Sequence, residues 1–248
     1  MTHLSFAPLR DAPADPVKVH TTPVLDAALD GGYVPGAVIL IAGAPGGGKS
    51  TLLLQAADTV PDSRYITGEE TAAQVCTRGK RLELAGNTLL AVSADADSIA
   101  ADVIETRPSL VIVDSLQTVC TATSKSAAGC LAQIKATSKV LIDAARRSGS
   151  TMIIVCHETK AGGFAGPRSV EHMVDVALRF ERSPRQLVTI KNRMGKADII
   201  VPVAMTAKGV VLRDGDRDLA GEVHEVTASI ARMADMMAEL RREFHRHE

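Results

Sequence analysis

Ala37-Val38-Ile39-Leu40-Ile41-Ala42 runs without a break into Gly43-Ala44-Pro45-Gly46-Gly47-Gly48-Lys49-Ser50-Thr51, and Leu52-Leu53-Leu54 follow at once. The first six residues are all apolar and half are β-branched, the pattern of a strand buried on both faces of a parallel sheet. Pro45 and the glycines end that strand, and a helical pattern runs on through about Asp58. Strand, glycine-rich turn and helix, in that order, predict the opening unit of an α/β domain.

Outward from this unit the alternation continues. Strands are expected at Ser63–Thr67, Thr88–Val92, Leu110–Asp114 and Thr151–Cys156. Helices are expected at Thr71–Leu82, from near Asp97 or Ser98 to before Pro108, and around Gly129–Ser148. The last of these places Leu131, Ile134, Leu141 and Ala145 on one face and closes with Arg146, Arg147 and Gly149, ordinary C-terminal signals. Four further β-like runs, Val176–Arg182, Gln186–Lys191, Ile199–Met205 and Val210–Arg213, have little helix between them and are expected to extend the sheet as antiparallel hairpins.

The chain has 248 residues, 46% of them hydrophobic but only 2% aromatic, with no Trp. A core so poor in aromatics must be filled by Val, Ile, Leu and Ala. A net charge of −1 gives no global attraction to nucleic acid or membrane, so any such binding must come from a local patch. Cys76, Cys120, Cys130 and Cys156 stand far apart with no C-x-x-C pair, which argues against a zinc knuckle or a disulfide framework. No run approaches the roughly 20 apolar residues needed to cross a bilayer, and Met1–Pro16 lacks the apolar stretch of a signal peptide. These features predict a soluble cytoplasmic protein with no membrane partner.

Gly43 to Ser50 fits G-x-x-x-x-G-K-[ST], directly after a strand and before a helix. In that pattern Gly43, Ala44, Pro45, Gly46, Gly47 and Gly48 let backbone N–H groups converge on phosphates, because side chains would block the approach. Lys49 supplies a cation to the β- and γ-phosphates, Thr51 continues the cradle, and the Ser50 hydroxyl is a Mg²⁺ ligand. ATP with Mg²⁺ is the expected cofactor pair. Asp114 ends the apolar run Leu110–Val113, so its carboxylate stands at the strand edge where open α/β sheets bind ligands and would hold Mg²⁺ through water. Glu69 and Glu70 follow the second strand at the same edge. One is expected to orient the attacking water and the other to cap the next helix, and position alone does not say which.

The remaining residues each have a plain reading beside a chemical one. His157, after the fifth strand, is either a satisfied structural imidazole or a functional group at the cleft edge, the second favoured by Thr159 and Lys160 beside it. Lys191 and Arg193 flank Asn192, so their side chains share one face; they are either a solvated turn or cations for transition-state charge. Residues 160–168 combine Gly162, Gly163 and Gly166 with Lys160, Arg168 and Phe164, a composition suited to following a phosphate backbone.

Several blocks together resemble one family. Val34-Pro35-Gly36, Gly68-Glu69-Glu70, Asp114-Ser115-Leu116-Gln117-Thr118, His157-Glu158-Thr159-Lys160, Ala165-Gly166-Pro167-Arg168, Glu171-His172-Met173-Val174-Asp175 and Lys191-Asn192-Arg193-Met194-Gly195 come in the order found in the bacterial RadA (Sms) proteins, RecA-related ATPases of recombinational repair. The family's KNRFG signature has Met194 in place of Phe. The resemblance runs from about His20 to Arg213 and covers the ATPase core alone; the family's four-cysteine zinc module and Lon-protease-like domain have no counterpart in this sequence. It implies a RecA-like P-loop fold and a hexameric ring. It also implies ATP-driven movement on single-stranded or branched DNA in recombination and repair, with a recombinase among the partners. It prefers Glu69 as the base and His157 as the γ-phosphate sensor. Lys191 and Arg193 become cations reaching the ATP of a neighbouring subunit, and Lys160 to Arg168 a DNA-facing loop. Two rival readings share the nucleotide chemistry: a DnaB-like replicative helicase and an ATP-switched oligomeric scaffold with negligible turnover.

The chain therefore reads as an irregular lead-in over residues 1–19, a RecA-like ATPase domain over 20–213, and a linker with an amphipathic helix over 214–248. In the last part Val223, Val226, Ile230, Met233, Met237, Leu240 and Phe244 follow heptad spacing. That helix serves either to cover its own domain or to pair with another subunit.

Overall fold

The computed structural model describes residues 17–157 and 168–213. The heptad-spaced tail, the lead-in as far as Pro16 and the loop from Glu158 to Pro167 lie outside the described residues. Chain contacts divide into one unit ending at Val211 and a second beginning at Leu212.

Nine strands form a single sheet: β1 (Val38–Gly43), β2 (Ser63–Thr67), β3 (Leu89–Val92), β4 (Leu110–Asp114), β5 (Thr151–His157), β6 (Val176–Arg182), β7 (Arg185–Asn192), β8 (Ile200–Thr206) and β9 (Gly209–Leu212). Their spatial order is β3-β2-β4-β5-β1-β6-β7-β8-β9. The pairs from β3 through to β6 are parallel, whereas β7 runs antiparallel to both β6 and β8. The expected architecture, a parallel sheet extended by antiparallel strands, is the one found.

Four helices fall where the patterning puts them: α2 (Lys49–Thr59), α3 (Ala72–Arg81), α4 (Ala96–Thr106) and α5 (Leu131–Ser148), numbered after a first helix described below. Local chemistry explains their ends. Thr71 and Gln74 form a reciprocal capping box at the start of α3, the Asp95 carboxylate accepts the Asp97 N–H at α4, and Gly149 closes α5 in the left-handed conformation. Two helices escape the patterning: α1 (Pro23–Ala28), capped by Thr22, and α6 (Arg168–Met173). Each has six residues, less than two turns, too few to display a helical period. Tertiary contact holds α1: Val24, Leu25 and Ala28 are buried, and the buried Thr189 hydroxyl of β7 donates to the Ala28 carbonyl at 2.6 Å.

Every residue of β1 and β4 is buried, as expected for strands covered on both faces. Side chains alternate between the two faces. Val38, Leu40 and Ala42 join Val111, Val113, Met152 and Ile154 in a core with Ile99 and Val103 of α4 and Ile134 and Leu141 of α5. Residues of the other parity face the side covered by α2, which packs on β2 and β4. The sheet edge at β3 is different, with Leu89 60% and Val92 56% exposed.

Truncating the fully buried Ile112 to Ala should lower unfolding free energy by about 2–5 kcal/mol through lost burial and a residual cavity. Leu89→Ala should stay within about 0.5 kcal/mol. Urea denaturation of the two variants, read at constant m-value, checks the contrast.

Candidate active site

The C-terminal ends of β1, β5, β4 and β2 come out at one level. Gly43 stands beside His157 across the β1–β5 pair, and Thr67 beside Asp114 across β2–β4. Ligands of open α/β sheets bind at this edge. The turn from Gly43 to Gly48 leads from β1 into α2, and three of its glycines are required by the backbone. Gly46 has φ 70° and Gly48 φ 122°, and Gly43 has φ 155° with so little room that an added Cβ would lie 2.3 Å from the Phe180 carbonyl oxygen. Gly48 caps α2 without any side-chain hydrogen bond, so the first N–H groups of that helix are left to another acceptor. Lys49, Ser50 and Thr51 form its first turn. Only 4% of Lys49 is exposed; its ammonium donates to the Gly43 carbonyl at 2.7 Å and the Ala44 carbonyl at 3.0 Å.

Asp114 closes β4 and is 3% exposed. Its Oδ2 accepts the Tyr65 hydroxyl at 2.5 Å, whereas Oδ1, equally buried, has no hydrogen-bond partner among the described residues. A buried carboxylate oxygen without a donor is costly unless a cation or ordered water completes it. Among the described residues no group of three or more His, Cys, Asp or Glu forms a ready-made metal cage. One carboxylate plus the Ser50 hydroxyl suits a metal held jointly with phosphate oxygens and water, the manner of Mg²⁺ rather than of zinc. The residues present fit that ion.

The two glutamates after β2 separate clearly. Glu70 is bound by both oxygens to the Arg78 guanidinium of α3. Glu69 instead turns toward the strand ends: its Oε1 accepts from the Ser115 hydroxyl and lies 2.8 Å from His157 Nε2. These contacts, the His157 hydrogen bond first, hold the Glu69 carboxyl below its ordinary pKa against the opposing effect of partial burial. On its other side His157 presents Nδ1 to the Lys49 ammonium at 3.5 Å. The tautomer protonated on Nε2 satisfies both contacts, donating to Glu69 and offering a lone pair to Lys49. Lys49, His157, Glu69 and Ser115 thus form one chain of polar contacts along the edge, with Asp114 beside it.

Lys191 and Arg193 do not join this cluster. The end of β7 where they lie pairs with the start of β6, Asn192 opposite Val176, and Val176 stands beside Ile39 near the start of β1. Arg193 Nη1 is 3.5 Å from Asp175 Oδ1, while Asp175 Oδ2 accepts the Val38 N–H. From Val38 to Gly43 is five residue steps, about 16 Å of strand. Both cations therefore occupy the edge opposite the glycine-rich turn. The Lys191 ammonium is tied to the carbonyls of Glu171 and Val174, and burial, then the Arg193 charge, lowers its pKa. The Arg193 side chain is half exposed. The Lys160 side chain and that of Arg168 fall outside what is described.

Four residues without a role in the sequence reading also border the site. Tyr65 grips Asp114, and Ser115 grips Glu69. At the β6–β7 turn, Arg182 and Arg185 donate to the Pro45 and Gly47 carbonyls at 3.4 and 3.3 Å. A tyrosine in so aromatic-poor a strand was the one local signal, since its hydroxyl needs a partner when buried. The arginines gave none, because a turn between two β-runs reads as solvated.

A model described as a family of unknown function (DUF7125) matches residues 21–196. The DNA repair protein RadA of Mycobacterium tuberculosis is 38% identical over 241 residues, which is 83% of this chain and 50% of that protein. RadA of Pseudomonas aeruginosa is 40% identical over 195 residues, 75% of this chain and 43% of that one. RadA of Brucella abortus is 39% identical over 230 residues, with 86% and 49% covered. This chain spans about half the length of the RadA proteins it matches. A KaiC-like protein from Pyrococcus horikoshii superposes with a TM-score of 0.66 at 17% identity, covering 81% of this chain and 100% of that one, a likeness of fold. The chain therefore belongs to the DUF7125 family, has a RecA-like α/β fold, and is a relative of the bacterial RadA proteins over their ATPase core.

Proposed function

We propose that this chain is a Mg²⁺-dependent ATPase that works as an oligomer on single-stranded or branched DNA. One observation carries the ATPase reading: a phosphate-binding turn, a buried Lys49, an Asp114 oxygen without a donor and an ionised Glu69 converge on one sheet edge. In this reading the turn and Lys49 hold the triphosphate, and Ser50 and Asp114 hold the Mg²⁺, which neutralises charge on the phosphate oxygens when bound. Glu69 orients the attacking water and takes its proton at Oε2, the oxygen left outside the Ser115 and His157 contacts. Glu70, committed to Arg78, braces α3 instead. His157, touching both Lys49 and Glu69, couples the phosphate cradle to the base.

The place of Lys191 and Arg193 on the far edge of the sheet supports the oligomer reading. Arg193 lies about 16 Å of strand from the turn of its own chain, yet it is the half-exposed cation of the pair. A second copy docking that edge against the nucleotide would complete the site with Arg193, while Lys191 holds α6 in place behind it. The DNA reading rests on the relatives, whose printed name is DNA repair protein RadA. It is tested by ATPase rate against single-stranded DNA concentration, with particle mass measured in the same samples. Stimulation by DNA in an oligomer supports it. ATP binding with negligible turnover at all DNA concentrations favours the switched scaffold.

Lys49→Ala should weaken ATP binding on the order of tenfold or more, the worth of a charge-assisted contact. Glu69→Gln should still bind ATP while its kcat falls on the order of 10²–10⁴-fold, the range for a lost general base. Equilibrium binding and steady-state turnover separate the two.

Arg193→Ala should be inactive alone but partly rescued when mixed with Glu69→Gln, because each variant contributes an intact half to some shared sites. Mixtures that never exceed the sum of the separate rates would place Arg193 outside the trans site.

The pH profile provides a further check. A depressed pKa keeps Glu69 ionised throughout the range above the ordinary glutamate value of about 4.3, so the base is lost only on the far acid side. His157→Ala removes the largest cause of that depression and leaves burial opposing it. The acid limb of the kcat profile should then move to higher pH; an unmoved limb would mean that another group controls it.

A further inference from the structure

Tyr65 is fully buried on β2, one strand over from Asp114, and its hydroxyl contacts the one carboxylate that closes β4. Phenylalanine would fill the same space, as Phe180 does elsewhere in the core, so packing alone does not call for the hydroxyl. A phenolic O–H donates to a carboxylate oxygen, so Tyr65 is the donor and Asp114 Oδ2 the acceptor. Arg78, bound to Glu70, stands close enough to act electrostatically on both Tyr65 and Asp114 and backs the pair with positive charge. The backbone adds a third restraint, since the Gly68 N–H donates to the Asp114 carbonyl at 2.9 Å. With Oδ2 accepting from Tyr65, turning the carboxylate would break that bond, and Oδ1 is the oxygen left for a metal-bound water.

We propose that Tyr65 is a positioning residue for the metal: it holds the Asp114 carboxylate in the rotamer that offers Oδ1 to a water on Mg²⁺ and so sets the Mg²⁺ affinity of the nucleotide complex. The inference deepens the Mg²⁺-ATP reading above and rests on it. Outer contacts of this kind typically change metal affinity by about 10–100-fold when removed.

The test is Tyr65→Phe, which keeps the ring and its packing and deletes only the hydroxyl. A fluorescent, non-hydrolysable ATP analogue is titrated onto the full chain at a series of Mg²⁺ concentrations and once in EDTA. The Mg²⁺ concentration at half-maximal binding should rise about tenfold, the lower end of that range, with the EDTA affinity unchanged. Thr189→Val serves as the comparison: it deletes another buried hydroxyl, bonded to the Ala28 carbonyl on a different part of the sheet, and should leave the Mg²⁺ midpoint alone. An unchanged midpoint in Tyr65→Phe overturns the inference and makes Tyr65 a core filler, as does an equal shift in Thr189→Val. A wild-type chain whose analogue binding is indifferent to Mg²⁺ overturns the functional reading, and the inference with it.

Discussion

Register in the parallel half of the sheet carries the rest of the structure, because it brings the ends of four strands to one level. Gly43 is beside His157 and Thr67 beside Asp114 only because β1 pairs with β5, and β2 with β4, in that alignment. Strand residues alternate faces, so a slip of one residue would invert every side chain on the slipped strand. The buried apolar faces forbid that slip. Leu40 and Val113 must stay on the side of α4 and α5, and with them fixed, Asp114 emerges at the edge with its carboxylate against Tyr65. Core packing and site geometry are thus the same constraint seen at two places along each strand.

The second organising fact is how charge is kept at a nearly dry edge. Burying an ammonium or a carboxylate is costly unless each finds donors or acceptors. Lys49 finds them in the carbonyls of its own turn, Glu69 in Ser115 and His157, and Glu70 in Arg78. Among the described residues Asp114 finds a donor for one oxygen only. A fold stabilised for its own sake would gain by replacing such a group with an aliphatic one, as buried ion pairs often can be. A half-satisfied carboxylate beside a phosphate-binding turn makes physical sense as a partner for a cation that arrives with its ligand.

The two edges of the sheet divide the labour of the molecule. One carries the turn, the acid groups and His157; the other carries Arg193 beside Asp175. Strands of five to seven residues are long enough that no side chain at one end serves the other. Among the described residues Arg193 meets Asp175 and the His172 carbonyl, both at its own edge of the sheet.

Much of this was already legible in the linear chain. The apolar run from Ala37 to Ala42 and the glycines behind it have local causes, hydrophobic period and backbone freedom, and β2, β4 and β6 begin and end where composition says. The places of Lys49 and Ser50 at the start of α2 and of Asp114 at the end of β4 were readable because each depends on one short local unit. The helices α1 and α6 were not, being too short to show a period and held by packing on strands far along the sequence. Nor could adjacent glutamates be told apart, since their local surroundings are nearly identical. Glu70 meets Arg78 eight residues away, whereas Glu69 meets Ser115 and His157, 46 and 88 residues away, and Tyr65 meets Asp114 across 49. The residues themselves determined the strand, the glycine-rich turn after it and the helix that Lys49 opens. Which glutamate is tied to an arginine, which meets Ser115 and His157, and which oxygen of Asp114 keeps no donor among the described residues were decided only in the tertiary structure, because those contacts depend on partners that the strand order, not the sequence neighbourhood, brings within hydrogen-bond reach.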